Sequence, residues 1–557
     1  MTDLIKYIRD SVIGDMQLID TPFGRRPLIY ADYTASGRAL TFIEDSIRQQ
    51  VLPFYANTHS ESSFTGAHTS TLREQAREEI RRAVNAGTDH KVIFCGSGAT
   101  AAINKLIDIL NLRLPADLTE RHRLLKAIPK RQRPVVFIGP YEHHSNELPW
   151  RESIVELITI PLDVNGGIDL RMLEIELKAY ADRPLKMGSF SAASNVTGIK
   201  TDVAAVTELL KKYDAISFWD YAAAAPYVPI NMQGTTVAGG HHGKDAVFIS
   251  PHKFVGGPGT PGILVVHRRL LQNSVPTAPG GGTVLYVTPK DHRYLEDAER
   301  SEEGGTPAIV ESIRAGMVFK LQQAVGTENI GRREADYVER ALERWSSEKN
   351  IEILGNTQSP RLSIVSLRIK WKGRDLHYGF VVALLNDLFG IQARGGCSCA
   401  GPYGHTLLGI DMAYSRALEQ QILNGHKLLR PGWVRLNFNY FISEAVFEYL
   451  LEAVALVAQQ GWRLLPFYHF DPTAGVWRYQ DKKMEPAFSI PQWDFSKVQS
   501  KAIDGQYQAL HLKDYLEMGK RELSLSKRQA HFYDLKLSEA AEELRWFASP
   551  REAVLAL

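Results

Sequence analysis

Cysteine is scarce in this chain: 557 residues hold three, Cys95, Cys397 and Cys399. An odd, low count excludes a disulfide framework and suits a reducing cytosol, so a cytoplasmic location is expected. A single Cys-x-Cys lacks the second pair that a zinc site needs, and no metal is expected. An excess of one charge is also lacking. Lys and Arg number 65 against 63 Asp and Glu, a formal net charge of +2. That balance gives no global pull toward nucleic acid or a membrane, and neither is expected as a partner. No apolar run approaches the length of a membrane span. Met1 to Asp10 mixes charges through its apolar residues, unlike a signal-peptide core. What is present is ordinary for a globular enzyme, 44% hydrophobic and 23% charged, over a length that allows about two to four domains.

Apolar strands alternate with helical segments along the first half. The strands are Lys91–Phe94, Val135–Ile138, Ile154–Ile160, Leu185–Phe190, Ala215–Trp219, Ala246–Ile249 and Ile263–Val266. Such alternation predicts an α/β fold with a large, mostly parallel sheet covered by helices. A short leading helix is expected over Asp3–Ile13. Leu72, Ala76, Ile80 and Val84 recur every fourth residue, and Thr71 with Glu74 forms a capping-box pattern, which predicts a helix over Thr71–Asn85. Leu112–Arg133 is charged and reads as an inserted surface helix. After Thr306-Pro307 a long helix, Ala308–Ala324, leads to a smaller α/β unit. The tail carries aromatic clusters and two amphipathic stretches, Ala509–Leu523 and Lys527–Trp546. The expected organisation is an N-terminal helical segment over 1–27, a large domain over 28–307, a small domain over 308–464 and a C-terminal extension over 465–557.

Phe248-Ile249-Ser250-Pro251-His252-Lys253 ends a short strand and opens a glycine-rich run. A lysine there can form a Schiff base with an aldehyde cofactor, with Ser250 and His252 placed to serve a phosphate and a ring. Phe94-Cys95-Gly96-Ser97-Gly98-Ala99-Thr100 follows a strand and opens a helix, an arrangement that offers free N–H groups to a phosphate. Glu142-His143-His144-Ser145-Asn146 follows another strand, at the end where α/β sheets place ligands. Asp220 ends a buried strand, where a carboxylate is costly without a partner. Opposite a pyridine nitrogen it would hold that nitrogen protonated. Arg394-Gly395-Gly396-Cys397-Ser398-Cys399 fits a nucleophile site better than a metal site or a structural disulfide: it is a glycine-rich loop near an arginine that favours thiolate. The guanidinium fork of Arg435 suits a carboxylate, although a surface arginine is the commoner explanation of such a residue.

These segments, in this order from about Tyr30 to Glu444, resemble the class V aminotransferase family and its cysteine desulfurase and selenocysteine lyase-like enzymes. The resemblance implies pyridoxal 5'-phosphate as cofactor and the PLP-dependent transferase fold type I, with a small C-terminal α/β domain and, here, a helical tail. It implies Lys253 as cofactor anchor and proton shuttle, and Ala99 and Thr100 in the phosphate loop with Ser250 and His252. His143 would stack on the ring, Asn195 would sit near the phenolic oxygen and substrate, and Asp220 at the ring nitrogen. Arg435, with Arg394, would hold the substrate carboxylate. Counting from Arg394 puts the catalytic cysteine at Cys399. Thr306 would reach the neighbouring subunit's cofactor in a homodimer. One departure stands out: Ala223 occupies the place where desulfurases usually carry glutamine.

The expected reaction is L-cysteine to L-alanine with a persulfide on Cys399, passed on to a reductant or a sulfur-acceptor protein. Two alternatives stay open. One is another class V enzyme without a persulfide: a C–S or C–Se lyase, aminotransferase or epimerase. The other is a sulfur-relay or interaction protein with little turnover.

Overall fold

The structure, a computed structural model, describes residues 2–234, 236–237, 240–241, 243–480, 482, 488–492, 511–524 and 533–557. Its centre is a seven-stranded sheet. The strands are β1 (His90–Cys95), β2 (Val135–Ile138), β3 (Glu156–Thr159), β4 (Lys186–Ser191), β5 (Ile216–Asp220), β6 (Ala246–Ile249) and β7 (Gly262–His267), in the order β1-β7-β6-β5-β4-β2-β3. Each coincides with an expected strand to within a few residues. β2, β4, β5 and β6 are buried along nearly their whole length. That is the burial of a sheet covered on both faces.

Only β7 runs against its neighbours β1 and β6. The reason is the link from β6. Residues 250–261 hold a single turn of tight helix, Pro251–Lys253, and a glycine-rich bend. Nothing there makes the helical crossover that a parallel neighbour would need. The chain doubles back and leaves Lys253 at the strand ends. Cys95, Ile138, Ser191, Asp220 and Ile249 therefore end their strands along one edge of the sheet.

Two expected helices of the first half of the chain need correction. α1 spans Phe64–Ala83, and its cap is Ser63, whose Oγ accepts from Gly66 N at 3.2 Å. Thr71 is mid-helix. The first two turns escaped the apolar pattern because Phe64 is 70% exposed and the buried positions there are Gly66, Thr69 and Ser70. Residues 112–133 form no single helix: Ala116–His122 and Leu124–Ala127 are separated by Arg123 at φ 52°. Neither piece buries a residue, so no packing holds the chain straight through the break.

α2 (Gly98–Ile109) follows β1 and buries Ala102, Ile103, Leu106 and Ile107. α3 (Ile309–Val325) matches the expected long helix. The second sheet, in an antiparallel order β8-β9-β11-β10, contains β8 (Ile351–Ile353), β9 (Ile364–Trp371), β10 (Arg394–Gly396) and β11 (Trp433–Asn437). α4 (Tyr378–Phe389), α5 (Gly401–Leu408) and α6 (Met412–Leu423) accompany it. Its core includes Phe380, Leu384, Val434 and Phe447 together with Phe467, Tyr468, Trp477 and Phe547 from the tail.

The tail helix Leu512–Ser524 covers the first amphipathic stretch from residue 512 and ends one residue past it; residues 509–510 of that stretch lie outside the described residues. The second stretch, Lys527–Trp546, is corrected: residues 527–532 lie outside the described residues, and of the rest only Glu539–Glu543 is helical. Phe547 bridges Asp375, and Ala548 N donates to Asp375 O at 2.8 Å. That pairing with the second sheet stops any helix from running on past Trp546. Among the described residues no helix is long and apolar enough to cross a membrane.

Candidate active site

The strand-end edge opens into a cavity of about 710 Å³ whose wall includes Ala99, Thr100, His143, Asn195 and Asp220. Ser250, His252 and Lys253 come from the β6–β7 link, and Arg394 and Arg435 from the second sheet. The structure thus brings together every residue to which the resemblance gives a role except Cys399 and Thr306, which are not in this wall.

At one end, glycine shapes an anion cradle. Gly98 adopts φ +57°, and a Cβ there would come within 3.0 Å of Ser250 Oγ and 3.7 Å of His252 Nε2. Ser97, the N-cap of α2, makes no side-chain cap bond, and Ala99 N donates to Ser250 Oγ at 2.8 Å. A helix N-terminus with hydroxyls and backbone N–H groups beside it suits a phosphate. His252 is held by burial in its neutral form, its pKa down to about 4.

Beside the cradle, Ser145 N donates to His143 Nδ1 at 3.1 Å, so Nδ1 accepts and the proton sits on Nε2. Burial, with Lys253 next in weight, pushes this imidazole down to about 3. A neutral imidazole can stack flat on an aromatic ring. Thr100 Oγ1 and Ser145 Oγ, 2.6 Å apart, extend the link to α2.

Asp220 at the end of β5 accepts from Ala222 N at 2.8 Å. Burial raises its pKa, opposed by that bond and by the charge of Lys253. Burial is also the main reason that the Lys253 amine falls to about 8, with Asp220 opposing the fall and Arg435 and Arg394 adding to it. An amine lowered this far is neutral more often near pH 7–8, as a nucleophile must be. Asp220 and Lys253 thus have the chemistry to face the ring nitrogen and the aldehyde of pyridoxal phosphate, and the cradle fits its phosphate.

On the opposite wall, β10 and β11 pair Arg394 directly with Arg435. Arg435 Nη2 donates to Asp32 Oδ1 at 2.8 Å and Nη1 to Asn195 O at 3.0 Å. Its Nε has no hydrogen-bond partner among the described residues. Asn195 turns its amide toward the cysteine loop: Nδ2 donates to Ser398 O at 2.8 Å.

In that loop Ser398 belongs to the cavity wall, while Cys399 beside it is half-buried and Cys397 exposed. Ser398 and Cys399 both hold positive φ, 52° and 56°, a conformation that costs non-glycine residues about 1–3 kcal/mol each. His144 secures it: its N–H donates to Cys399 O at 2.8 Å, and its Nε2 accepts from Gly401 N at 2.9 Å. Ala223 is in the wall; no amide stands at that position. Thr306 is exposed outside the cavity, its Oγ1 accepting from Asn57 Nδ2 at 3.2 Å.

Three contributors were not assigned roles from sequence. His144 is the loop's clasp, and the doubled histidine was its only signal. Asp32 partners Arg435 across 403 positions, a pairing that only the fold reveals. Glu142 is buried and accepts four hydrogen bonds. Gly139 N (3.1 Å) and Ser191 N (2.9 Å) donate to Oε1, and Asn146 Nδ2 (2.7 Å) and Ser191 Oγ (2.6 Å) to Oε2. Burial pushes its carboxyl up to about 7 against those bonds. It ties the ends of β2 and β4 together beneath the cavity.

A model of the aminotransferase class-V family matches residues 29–417. A protein of Halalkalibacterium halodurans described as a probable cysteine desulfurase is 27% identical over 389 residues, 69% of this chain and 87% of its own length. One from Staphylococcus aureus with the same description is 26% identical over 397 residues, 71% of this chain and 88% of its own. Among solved structures, the apo cysteine desulfurase of Thermococcus onnurineus NA1 superposes with a TM-score of 0.62 at 23% identity, over 78% of this chain and 95% of that one. The cysteine desulfurase CsdA of Escherichia coli gives 0.58 at 19%, over 77% and 94%. The fold is the expected PLP-dependent transferase fold type I.

Proposed function

We propose, from the premise that this chain belongs to the aminotransferase class-V family, that it converts L-cysteine to L-alanine and carries the sulfur as a persulfide on Cys399. Membership implies dependence on pyridoxal phosphate, which when bound supplies an electron sink for the substrate α-carbon. The observation that carries the reading is the single cavity in which Lys253, Asp220, His143 and the phosphate cradle face Arg394, Arg435 and the wall of the cysteine loop.

Each residue then has a task. Gly98, Ala99, Thr100, Ser250 and His252 hold the phosphate end, His143 the ring face and Asp220 the ring nitrogen. Lys253 anchors the cofactor and moves a proton at the substrate α-carbon. Arg435, already oriented by Asp32, and Arg394 bind the substrate carboxylate. The Cys399 thiolate attacks the substrate sulfur. The sulfur–sulfur bond forms as the substrate C–S bond breaks, and a proton takes the place of sulfur on carbon, leaving alanine and enzyme persulfide. The persulfide then needs an acceptor, a reductant or a sulfur-acceptor protein.

One observation favours a second reading, a class V C–S or C–Se lyase, aminotransferase or epimerase without persulfide: Ser398, rather than Cys399, forms the cavity wall. Product analysis after incubation with L-cysteine separates the two. L-Alanine is the expected amino acid product; pyruvate with ammonia, or an exchanged amino group, would overturn the first reading.

A homodimer belongs to this proposal. Thr306 is exposed away from its own cavity, and the nearby hairpin Val284–Tyr294 presents Leu285, Tyr286 and Val287 at 58–69% exposure. An apolar edge of that kind calls for a partner surface. Light scattering of the purified chain should give about twice 62.4 kDa; a monomer would remove the shared-site role of Thr306.

A further inference from the structure

The segment Leu544–Phe547 lies beyond residues 29–417, the part the family matches, yet it reaches both sides of the Cys397–Cys399 loop. On the leading side, Trp546 stacks on Tyr378, centroids 6.2 Å apart and planes at 13°, and on His377 at 5.4 Å and 25°. Its Nε1 donates to Leu429 O at 3.0 Å. Tyr378 in turn lies tight against the strand that delivers the loop. A Cβ on Gly395 would meet Tyr378 Cδ2 at 2.8 Å, and one on Gly432 would meet Tyr378 Cε1 at 2.8 Å. Glycine is thus required where that ring presses on β10 and on the residue before β11.

On the trailing side, Tyr414 Oη donates to Leu544 O at 3.0 Å. Its neighbour Ser415 is hydrogen-bonded through Oγ to His405 Nε2 at 2.7 Å. His405 Nδ1 lies 2.8 Å from Gly401 O. A carbonyl only accepts, so Nδ1 carries the proton and Nε2 accepts from the serine hydroxyl. Gly401 opens α5 two residues after Cys399. The segment itself is fixed: Arg374 Nη1 donates to Arg545 O at 2.8 Å, and Phe547 is fully buried.

We propose that Leu544–Phe547 is a positioning element for the cysteine loop, with Trp546 acting through Tyr378 on β10 and Leu544 through Tyr414, Ser415 and His405 on α5. Neither residue is in the cavity wall. The two routes set where the Ser398–Cys399 backbone stands, complementing the hold of Asn195 and His144 from the large domain. The inference rests on the persulfide reading only for the task it gives Cys399; the mechanical coupling stands on the contacts alone.

The test uses the full-length protein with pyridoxal phosphate and three variants, Trp546→Ala, Trp546→Phe and Tyr414→Phe. Iodoacetamide labelling of Cys397 and Cys399 is followed peptide by peptide, and amide hydrogen exchange is read over residues 394–405. Trp546→Ala should change the Cys399 labelling rate by about fivefold or more, within the range for coupling through packed side chains. It should speed exchange over 394–401, keep the visible absorbance of bound cofactor, and lower kcat more than it alters KM. Trp546→Phe keeps a ring on Tyr378 and should recover most of the loss. Tyr414→Phe deletes one hydroxyl and should speed exchange near Gly401. Wild-type labelling and exchange in Trp546→Ala would overturn the proposal; if that variant does not fold, wild-type exchange near Gly401 in Tyr414→Phe overturns it. A wild-type enzyme that makes no alanine would sink the proposed reaction, while the labelling and exchange results would still decide the clamp.

Discussion

After reconstitution with pyridoxal phosphate, Lys253→Ala should lose the visible absorption band of the lysine-linked cofactor that the wild type shows, and turnover should fall by at least about 100-fold. That is the low end of what a positioned proton-transfer group contributes, before any loss of cofactor anchoring is counted. The expectation comes from where the lysine stands. The β6–β7 link has no crossover helix, so it drops residue 253 into the strand-end cavity opposite Asp220. Burial keeps its pKa near 8, which means that the fold holds this ammonium at a cost rather than gaining from it. Removing the amine should therefore leave thermal stability nearly unchanged. A variant that kept that band and stayed active would place the anchor elsewhere; one that simply unfolded would assign Lys253 a structural role.

Cys399→Ser should abolish sulfide release from L-cysteine in the presence of reductant, by about 100-fold or more, while the cofactor absorbance persists. Serine preserves the backbone demands of the position: φ 56° at residue 399, the carbonyl bond from His144 N and the neighbouring bond from Asn195 to Ser398 O. What it removes is a thiolate able to take sulfur. The loss would thus be chemical rather than conformational. Two successive non-glycine residues at positive φ are the kind of strain that persists where surrounding contacts over-determine it, and here those contacts are named. Cys397 is the control. Cys397→Ser should retain sulfide release; if it loses activity and Cys399→Ser does not, the register from Arg394 is wrong by two residues.

The sequence was most legible where one physical demand dominates. β2 and β6 are apolar and buried on both faces, so their runs stood out, and they match the expected bounds residue for residue. The cofactor cradle was legible for a related reason: glycine before a helix and lysine after a strand are local patterns. Helix starts were less so. Thr71 and Glu74 satisfied a capping pattern inside α1, because its first turns bury small and polar residues and expose Phe64. Residues 533–538 and 544–546 were read as helix, whereas only Glu539–Glu543 is helical and the chain just beyond the stretch, at Phe547 and Ala548, pairs with Asp375. Site partners separated widely in the chain were beyond sequence pattern. Asp32 with Arg435, His144 with the Cys399 backbone, and Trp546 with Tyr378 meet only through tertiary packing. Ala223 was legible as a departure, and it does stand in the cavity wall.

The most direct test of the central claim is intact and peptide-level mass spectrometry of the protein after incubation with L-cysteine, without reductant. The account predicts one added sulfur atom on Cys399, matched by one L-alanine per active site. Amino acid turnover with every cysteine unmodified, or sulfur found first on Cys397, would contradict it.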